Sequence, residues 1–144
     1  MRNLKILLKF FLIVVILITV FGFWYYHHLK PSYSGDISLT SIEKETKVYF
    51  DDFGIPHIYA NSHKDAITTL GYVQAQDRLW QLELMKRIAP GRLAELFGKN
   101  LIENDKFFAS LGIEEYSEKS VANLDPDSEI YLLMSSYLKG INQF

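Results

Sequence analysis

The sequence predicts an α+β body carried behind one apolar N-terminal helix. Three observations predict it: an uncharged run from Phe10 to Tyr26, two short β-type runs at Lys47–Phe50 and Ile55–Ala60, and a long helical pattern from Ser62 to about Ala89, ended by Pro90-Gly91. The chain of 144 residues divides accordingly into a cytoplasmic basic segment 1–9, a transmembrane or signal-anchor helix 10–26, a linker 27–46 and a body 47–144. At 49% hydrophobic and 22% charged residues it is neither disordered nor collagen-like. It has no cysteine, which excludes a disulfide scaffold, a thiolate metal site and a Cys nucleophile.

The run Phe10–Tyr26 reads FFLIVVILITVFGFWYY. As a helix rising about 1.5 Å per residue it approaches the roughly 30 Å of a hydrocarbon core, and Ile6–Leu8 extend it if Lys9 snorkels. No small-x-small cleavage signal follows it. The run ends in Trp24, Tyr25 and Tyr26, with His27 and His28 after them, and aromatics of this kind suit a membrane–water boundary. These features favour an uncleaved anchor over a cleaved signal peptide. Arg2, Lys5 and Lys9 precede the run, so the positive-inside bias leaves the N-terminus in the cytoplasm and exports the body, periplasmic or at the cell surface. Pro31–Gly35 (PSYSG) reads as linker. The net charge of −2 conceals a division: four of the 15 basic residues lie in or beside the N-terminal segment and all 17 acids lie beyond it, leaving 11 against 17, or −6, on residues 31–144. An acidic body argues against nucleic acid as a partner.

In the body, Asp51-Asp52-Phe53-Gly54 is turn chemistry between two strand-like runs, which fits a hairpin. Ser62 followed by Asp65 resembles a capping box with Asp in place of Glu. Along the helix that follows, positions 66, 70, 73, 77, 80, 84 and 88 form an apolar stripe with one charge inside it, Asp77. That pattern predicts a buried Asp77 paired with an arginine or backbone donors to fix packing rather than to do chemistry. A second stripe (Gly71, Ala75, Arg78, Leu82, Met85, Ala89) has small residues that admit a neighbouring backbone. Gly91–Gly98 reads as a short helix closed by glycine, and Glu103–Ser110 as another. Asp125-Pro126 is expected to cap and open a last helix, with Ile130, Leu133, Met134, Tyr137, Leu138 and Ile141 as its apolar face. The chain stops at Phe144 inside that amphipathic pattern, so it reads as truncated.

The chemistry-bearing residues are sparse. Of four histidines, His27 and His28 belong to the membrane flank, and His57 and His63 straddle a strand-to-helix junction as ordinary surface or cap residues. There is no HExxH, no glycine-rich phosphate loop and no GxSxG elbow. Adjacent acids at Asp51/Asp52 and Glu114/Glu115 read as solvated turn residues. No nucleophile is assembled with a base.

The stretch Val48–Gly112 nevertheless resembles the start of the mature α chain in the penicillin acylase (penicillin amidase) family. Asp52-Phe53-Gly54-Ile55-Pro56-His57-Ile58-Tyr59-Ala60 is similar to its opening motif, and Gly71-Tyr72-Val73-Gln74-Ala75-Gln76-Asp77-Arg78-Leu79-Trp80-Gln81 to its G-Y-x-x-A-Q-D-R-L-x-Q helix. Gly91-Arg92-Leu93-Ala94-Glu95-Leu96-Phe97-Gly98, then Asp105 and Gly140-Ile141-Asn142, follow in the family's order. The resemblance implies the N-terminal part of an αββα N-terminal-nucleophile hydrolase. Its precursor cleaves itself, and the new N-terminal Ser of a β chain attacks linear amides with its own α-amine as base. It implies as substrates β-lactam acyl side chains or N-acyl homoserine lactones, with calcium as a structural ion. The family's β chain opens with Ser-Asn-x-Trp; no Ser-Asn occurs here, and the only tryptophans are Trp24 and Trp80. The resemblance therefore places no catalytic, cofactor-binding or metal-binding residue in this chain. It leaves two readings: the N-terminal part of a membrane-anchored acylase, whose partner is the missing β-chain region of the same precursor, or a non-catalytic remnant or binding module.

The anchor reading has a direct check. N-terminal sequencing of the mature protein extracted from membranes should find the chain beginning at or next to Met1. A chain beginning near residues 28–36 would show a cleaved signal instead.

Overall fold

The computed structural model describes residues 2–30 and 32–144, and of residues 2–5 the backbone only. Pro31, within the expected linker, lies outside the described residues. Two compact units divide at Gly35/Asp36.

The first unit is built on helix α1, Arg2–His28. Its stretch Ile6–His28, 23 residues, is long and apolar enough to cross a membrane. The helix continues through His27 and His28, which the sequence placed in the linker. At that end Trp24 stacks on His28, with centroids 5.3 Å apart, and Lys30 Nζ sits 4.7 Å from the Tyr26 ring centroid.

The second unit is α+β. Strands β1 (Lys47–Phe50) and β2 (Pro56–Tyr59) form an antiparallel hairpin. Its register pairs Val48 with Ile58 and Phe50 with Pro56 on a half-buried face, and β2 lies against α2 (His63–Ile88). Tyr49, His57, Lys47 and Tyr59 occupy the other, exposed face. Residues 36–46, expected as linker, belong to this unit. Thr40 bonds Gln143 through its backbone N–H, and Glu43 donates its N–H to Asp65 Oδ1 at 2.9 Å.

Ser62 caps α2, accepting the Asp65 N–H at 3.0 Å. The reciprocal half of a capping box does not form, because the Asp65 carboxylate turns to Glu43 instead. Asp65 is only 1% exposed, yet the Glu43 N–H holds its carboxyl below the usual range against the opposing effect of burial. The last helix, α6 (Glu129–Ile141), crosses α2 with the largest helix–helix contact in the molecule. That contact uses small residues. A Cβ built on Gly71 would lie 2.2 Å from the Tyr137 carbonyl oxygen, and one on Gly140 would lie 1.9 Å from that of Thr68. Thr68, Thr69, Ala75 and Ser136 are buried around the crossing, and Tyr137 Oη donates to Gln74 Oε1 at 2.7 Å. The small-residue stripe read from the sequence is thus the packing face, at least for its first two members.

The apolar stripe is not. Of positions 66, 70, 73, 77, 80, 84 and 88 only Val73 is buried. Asp77, expected inside, is exposed, and so is Arg78 beside it. The helix leaves α geometry at Arg78 (φ −136°, ψ 25°), so a stripe projected straight through residue 78 changes direction there. The cost of breaking a buried ion pair therefore does not apply to Asp77. Likewise Ile130, Met134 and Leu138 of α6 are exposed, while Ser136 and Gly140 face α2.

Between α2 and α6 run α3 (Ala94–Phe97), a 3₁₀ turn (Lys99–Leu101), α4 (Ile102–Ser110) and α5 (Ile113–Ala122). Helix α5 was not expected. Asp125-Pro126 does not open α6 either. Asp125 closes a turn, accepting the Ser128 N–H on its backbone oxygen at 3.0 Å, and Ser128 caps the helix through the Tyr131 N–H at 3.3 Å.

The crossing makes a sharp expectation. Gly140→Ala puts a methyl group onto a backbone oxygen that cannot yield as a side chain can. It should destabilise the body by at least the roughly 1–3 kcal/mol typical of overpacking. Gly22→Ala, where no atom lies within 4 Å, should be neutral. Urea-unfolding midpoints of the two variants decide it.

Candidate functional site

Two constellations organise the residues that carry the family resemblance. The first is the hairpin turn. Asp51 Oδ1 accepts the N–H groups of Phe53 and Ile55, both at 2.9 Å, and Asp51 Oδ2 lies 3.3 Å from His57 Nε2. The Gly54 N–H closes the turn on the Asp51 carbonyl at 2.9 Å, with Gly54 at φ 75°. Asp51 is thus more than a solvated turn acid. The Ile55 N–H, then His57 and the Phe53 N–H, hold its carboxyl below the usual range against the opposing effect of desolvation. An Asp that accepts from the N–H two residues on is a recognised turn signal, so this role was readable. Asp51 and His57, with Tyr49, Phe50 and Tyr59, line an open recess of about 320 Å³, and the two tyrosine rings meet edge to face at 5.7 Å. The presence of an imidazole beside a carboxylate suits proton exchange, but among the described residues no serine, threonine or cysteine lines this recess.

The second constellation is the Pro90–Gly98 loop. Both carboxylate oxygens of Asp105, on α4, accept from the first N–H groups of α3: Leu93 at 2.8 Å and Ala94 at 2.7 Å. Gly91 (φ 73°) brings the loop against α4 so closely that a Cβ there would sit 2.2 Å from the Asp105 carbonyl oxygen. Arg92 grips Glu95 through two bonds, 2.7 and 3.1 Å, and Arg87 pairs with Glu83 and approaches Glu95 at 3.8 Å. These charges fix geometry. Arg92 holds the Glu95 carboxyl low, and Glu95 in turn raises the Arg92 guanidinium.

The other sequence candidates stay apart. His63 faces Glu129 at 3.9 Å on an exposed surface, and Glu115 pairs with Lys119 along α5. Among the described residues there is no group of three or more His, Cys, Asp or Glu able to hold a metal ion.

The sequence model of the family described as "Penicillin amidase" matches residues 45–144. The chain is 37% identical over 114 residues to the penicillin acylase 2 proenzyme of Pseudomonas sp. (strain SE83), a match over 79% of this chain and 14% of that protein. It is 35% identical to the penicillin G acylase of Escherichia coli, over 68% of this chain and 11% of that one. It is 29% identical to the acyl-homoserine lactone acylase QuiP of Pseudomonas aeruginosa, over 79% and 13% respectively. Among solved structures, a thermostable penicillin G acylase from Alcaligenes faecalis superposes with a TM-score of 0.59 at 26% identity, covering 69% of this chain and 52% of that chain. The chain thus spans only about one-seventh or less of the curated relatives it matches.

The hairpin generates a pH expectation with a definite sign. A carboxyl whose folded pKa is depressed contributes stability above its unfolded value, near 3.9, and loses it as pH falls through the folded value. Acidification below about pH 4 should therefore loosen the 51–57 turn. Asp51→Asn, which keeps an acceptor oxygen but no charge, should flatten that dependence. Hydrogen exchange of the Phe53 and Ile55 amides against pH is the measurement.

Proposed function

Because this chain belongs to the penicillin amidase family, we propose that it is the N-terminal part of a precursor that hydrolyses linear amides. The observation that carries this is the match of the family across residues 45–144, joined to coverage of only 11–14% of three acylase relatives. The named relatives support two acyl-amide classes as substrates: β-lactam acyl side chains and N-acyl homoserine lactones. In this reading the nucleophile is an N-terminal Ser on a downstream β chain, its own α-amine taking the hydroxyl proton as it attacks the amide carbonyl. The two constellations above serve architecture. Asp51 shapes the hairpin, and Asp105 with Gly91 sets the loop that leads into α3. The hairpin is the start of the sheets of an αββα fold completed by the downstream region. Helix α1 anchors the precursor with its body outside the cytoplasm. The resemblance implies calcium, but the described residues do not compose a cage for it. In this reading its ligands belong to the downstream region.

Energetics support a dependent fragment. Val73 and Ala75 are the buried hydrophobic residues of the described chain, while Leu79, Trp80, Met85, Phe97, Ile130 and Leu138 are exposed. Each large apolar side chain left in water forgoes roughly 1.5–3 kcal/mol, against a net stability for a whole domain of only about 5–15 kcal/mol. Residues 31–144 alone should therefore give neither amide hydrolysis nor a sharp cooperative melt. The decisive experiment reads the nucleotides beyond Phe144 and expresses the continued frame. A Ser-Asn-x-Trp, a processed chain beginning at that Ser by mass spectrometry, and acyl release from a phenylacetyl or fatty-acyl chromogenic amide are the expected results. A folded and active 31–144 would overturn the reading. A frame without that motif would favour the non-catalytic remnant or binding module.

A further inference from the structure

The C-terminal end of α1 repeats one spacing three times. Phe23 lies against His27 with ring centroids 4.4 Å apart, and Trp24 stacks on His28 at 5.3 Å with the ring planes 7° apart. The Tyr26 ring carries Lys30 Nζ 4.7 Å from its centroid. In each pair an aromatic ring is followed four residues later by an imidazole or an ammonium, the separation at which helix side chains meet. A turn of rings is thus succeeded by a turn of nitrogen donors.

That spacing matches a dimension of the bilayer. Four residues of helix rise about 6 Å. A hydrocarbon core is about 30 Å thick, and about 40–45 Å with its headgroups, so each headgroup layer is roughly 5–7 Å deep. Aromatic rings settle at the boundary between core and headgroups. With Phe23, Trp24 and Tyr26 at that boundary, His27, His28 and Lys30 reach the depth of the lipid phosphates. The apolar length agrees: from Ile6 to Trp24 the helix rises about 27 Å, close to one core thickness.

The donors at that depth are suited to an acceptor from outside their own unit. Stacking covers the face of an imidazole and leaves its nitrogens at the ring edge, where at least one N–H donates in either protonation state. The chain has no acidic residue before Asp36, so the first unit holds no side-chain carboxylate for these groups. A zwitterionic headgroup sets its own ammonium beside the phosphate, whereas an anionic headgroup leaves the negative charge unmatched. Charge complementarity therefore selects the anionic one.

We propose that Phe23–Lys30 form a headgroup site that prefers the phosphate of an anionic phospholipid in the leaflet at that end of α1. The inference rests on the anchor reading above and on nothing in the downstream chemistry. It adds which lipid the anchor takes and which side chains take it. Phe23, Trp24 and Tyr26 are positioning residues, because they fix the depth of the donors and the orientation of the rings.

The test uses the whole chain in vesicles. The only tryptophans are Trp24 and Trp80, so in a Trp80→Phe background the emission reports Trp24 alone. Vesicles of phosphatidylcholine and phosphatidylglycerol carry bromine, a contact quencher, on one lipid or on the other. Quenching about fivefold more effective from the glycerol lipid at equal mole fraction is expected. The combined His27→Ala, His28→Ala and Lys30→Gln variant should lose that preference, and Lys30→Glu alone should reduce it. Equal quenching by the two lipids overturns the proposal and leaves the anchor standing. No quenching by either overturns both. A preference abolished by excess inorganic phosphate at constant ionic strength would assign the site to a free anion and overturn it too.

Discussion

Gly71 and Gly140 lack side chains because each faces the backbone of the other helix. At that crossing a carbonyl oxygen lies where a Cβ would have to be, about 2 Å away on either side. Helices that approach this closely cannot interdigitate large residues, so the interior around them is made of Thr68, Thr69, Ala75 and Ser136. The rest of the unit is arranged on that contact. Asp65, one turn before it, reaches back to hold Glu43, and Thr40 bonds Gln143 just past the end of α6. The segment leading into the hairpin is thereby pinned at both ends of the crossing, and β2 is laid against α2.

A small-residue crossing has a corollary for the large residues. With the contact face given to glycine, threonine and alanine, the apolar side chains of both helices point elsewhere. That is why Trp80, Ile130, Met134 and Leu138 are exposed although they fall at helical spacing. The hairpin shows the same excess. Its outer face carries Tyr49, His57 and Tyr59 where a solvated sheet face is ordinarily polar. Under the proposed reading, surfaces of this kind are the ones a downstream region would cover.

Much of the fold was legible where its cause was local. Asp-Asp-Phe-Gly between alternating runs marked the hairpin, Ser62 and Pro90-Gly91 bracketed α2, and the spacing of Gly71 and Ala75 announced a close neighbour. What was missed had a remote cause. Asp77 looked buried because its apolar stripe resembled a packing face, whereas α6 lies on the small-residue face of Gly71 and Ala75 and only Val73 of the stripe is buried. Asp105 looks like an ordinary acid in the first turn of a helix, and nothing local reveals that it caps a different one eleven and twelve residues earlier. Helix α5 has Ile113, Tyr116 and Val121 too thinly spaced to make a stripe, and it buries none of them. Asp125-Pro126 mimicked a helix start, but the turn it closes hands the cap to Ser128. The motif residues were recognisable from the sequence, whereas the absence of a nucleophile beside them bears on function only through the comparison with longer relatives.

The crossing also sets an order in time. Gly71 emerges from the ribosome well before Gly140, and at synthesis rates of about 5–20 residues per second the gap between them lasts several seconds. During that interval the N-terminal half of α2 has no opposing helix, and its Thr-rich face offers little to hold it by itself. The contact is non-local, and such contacts close slowly because the loop entropy is lost before any packing is gained. The architecture of the body is therefore fixed late, by the arrival of α6.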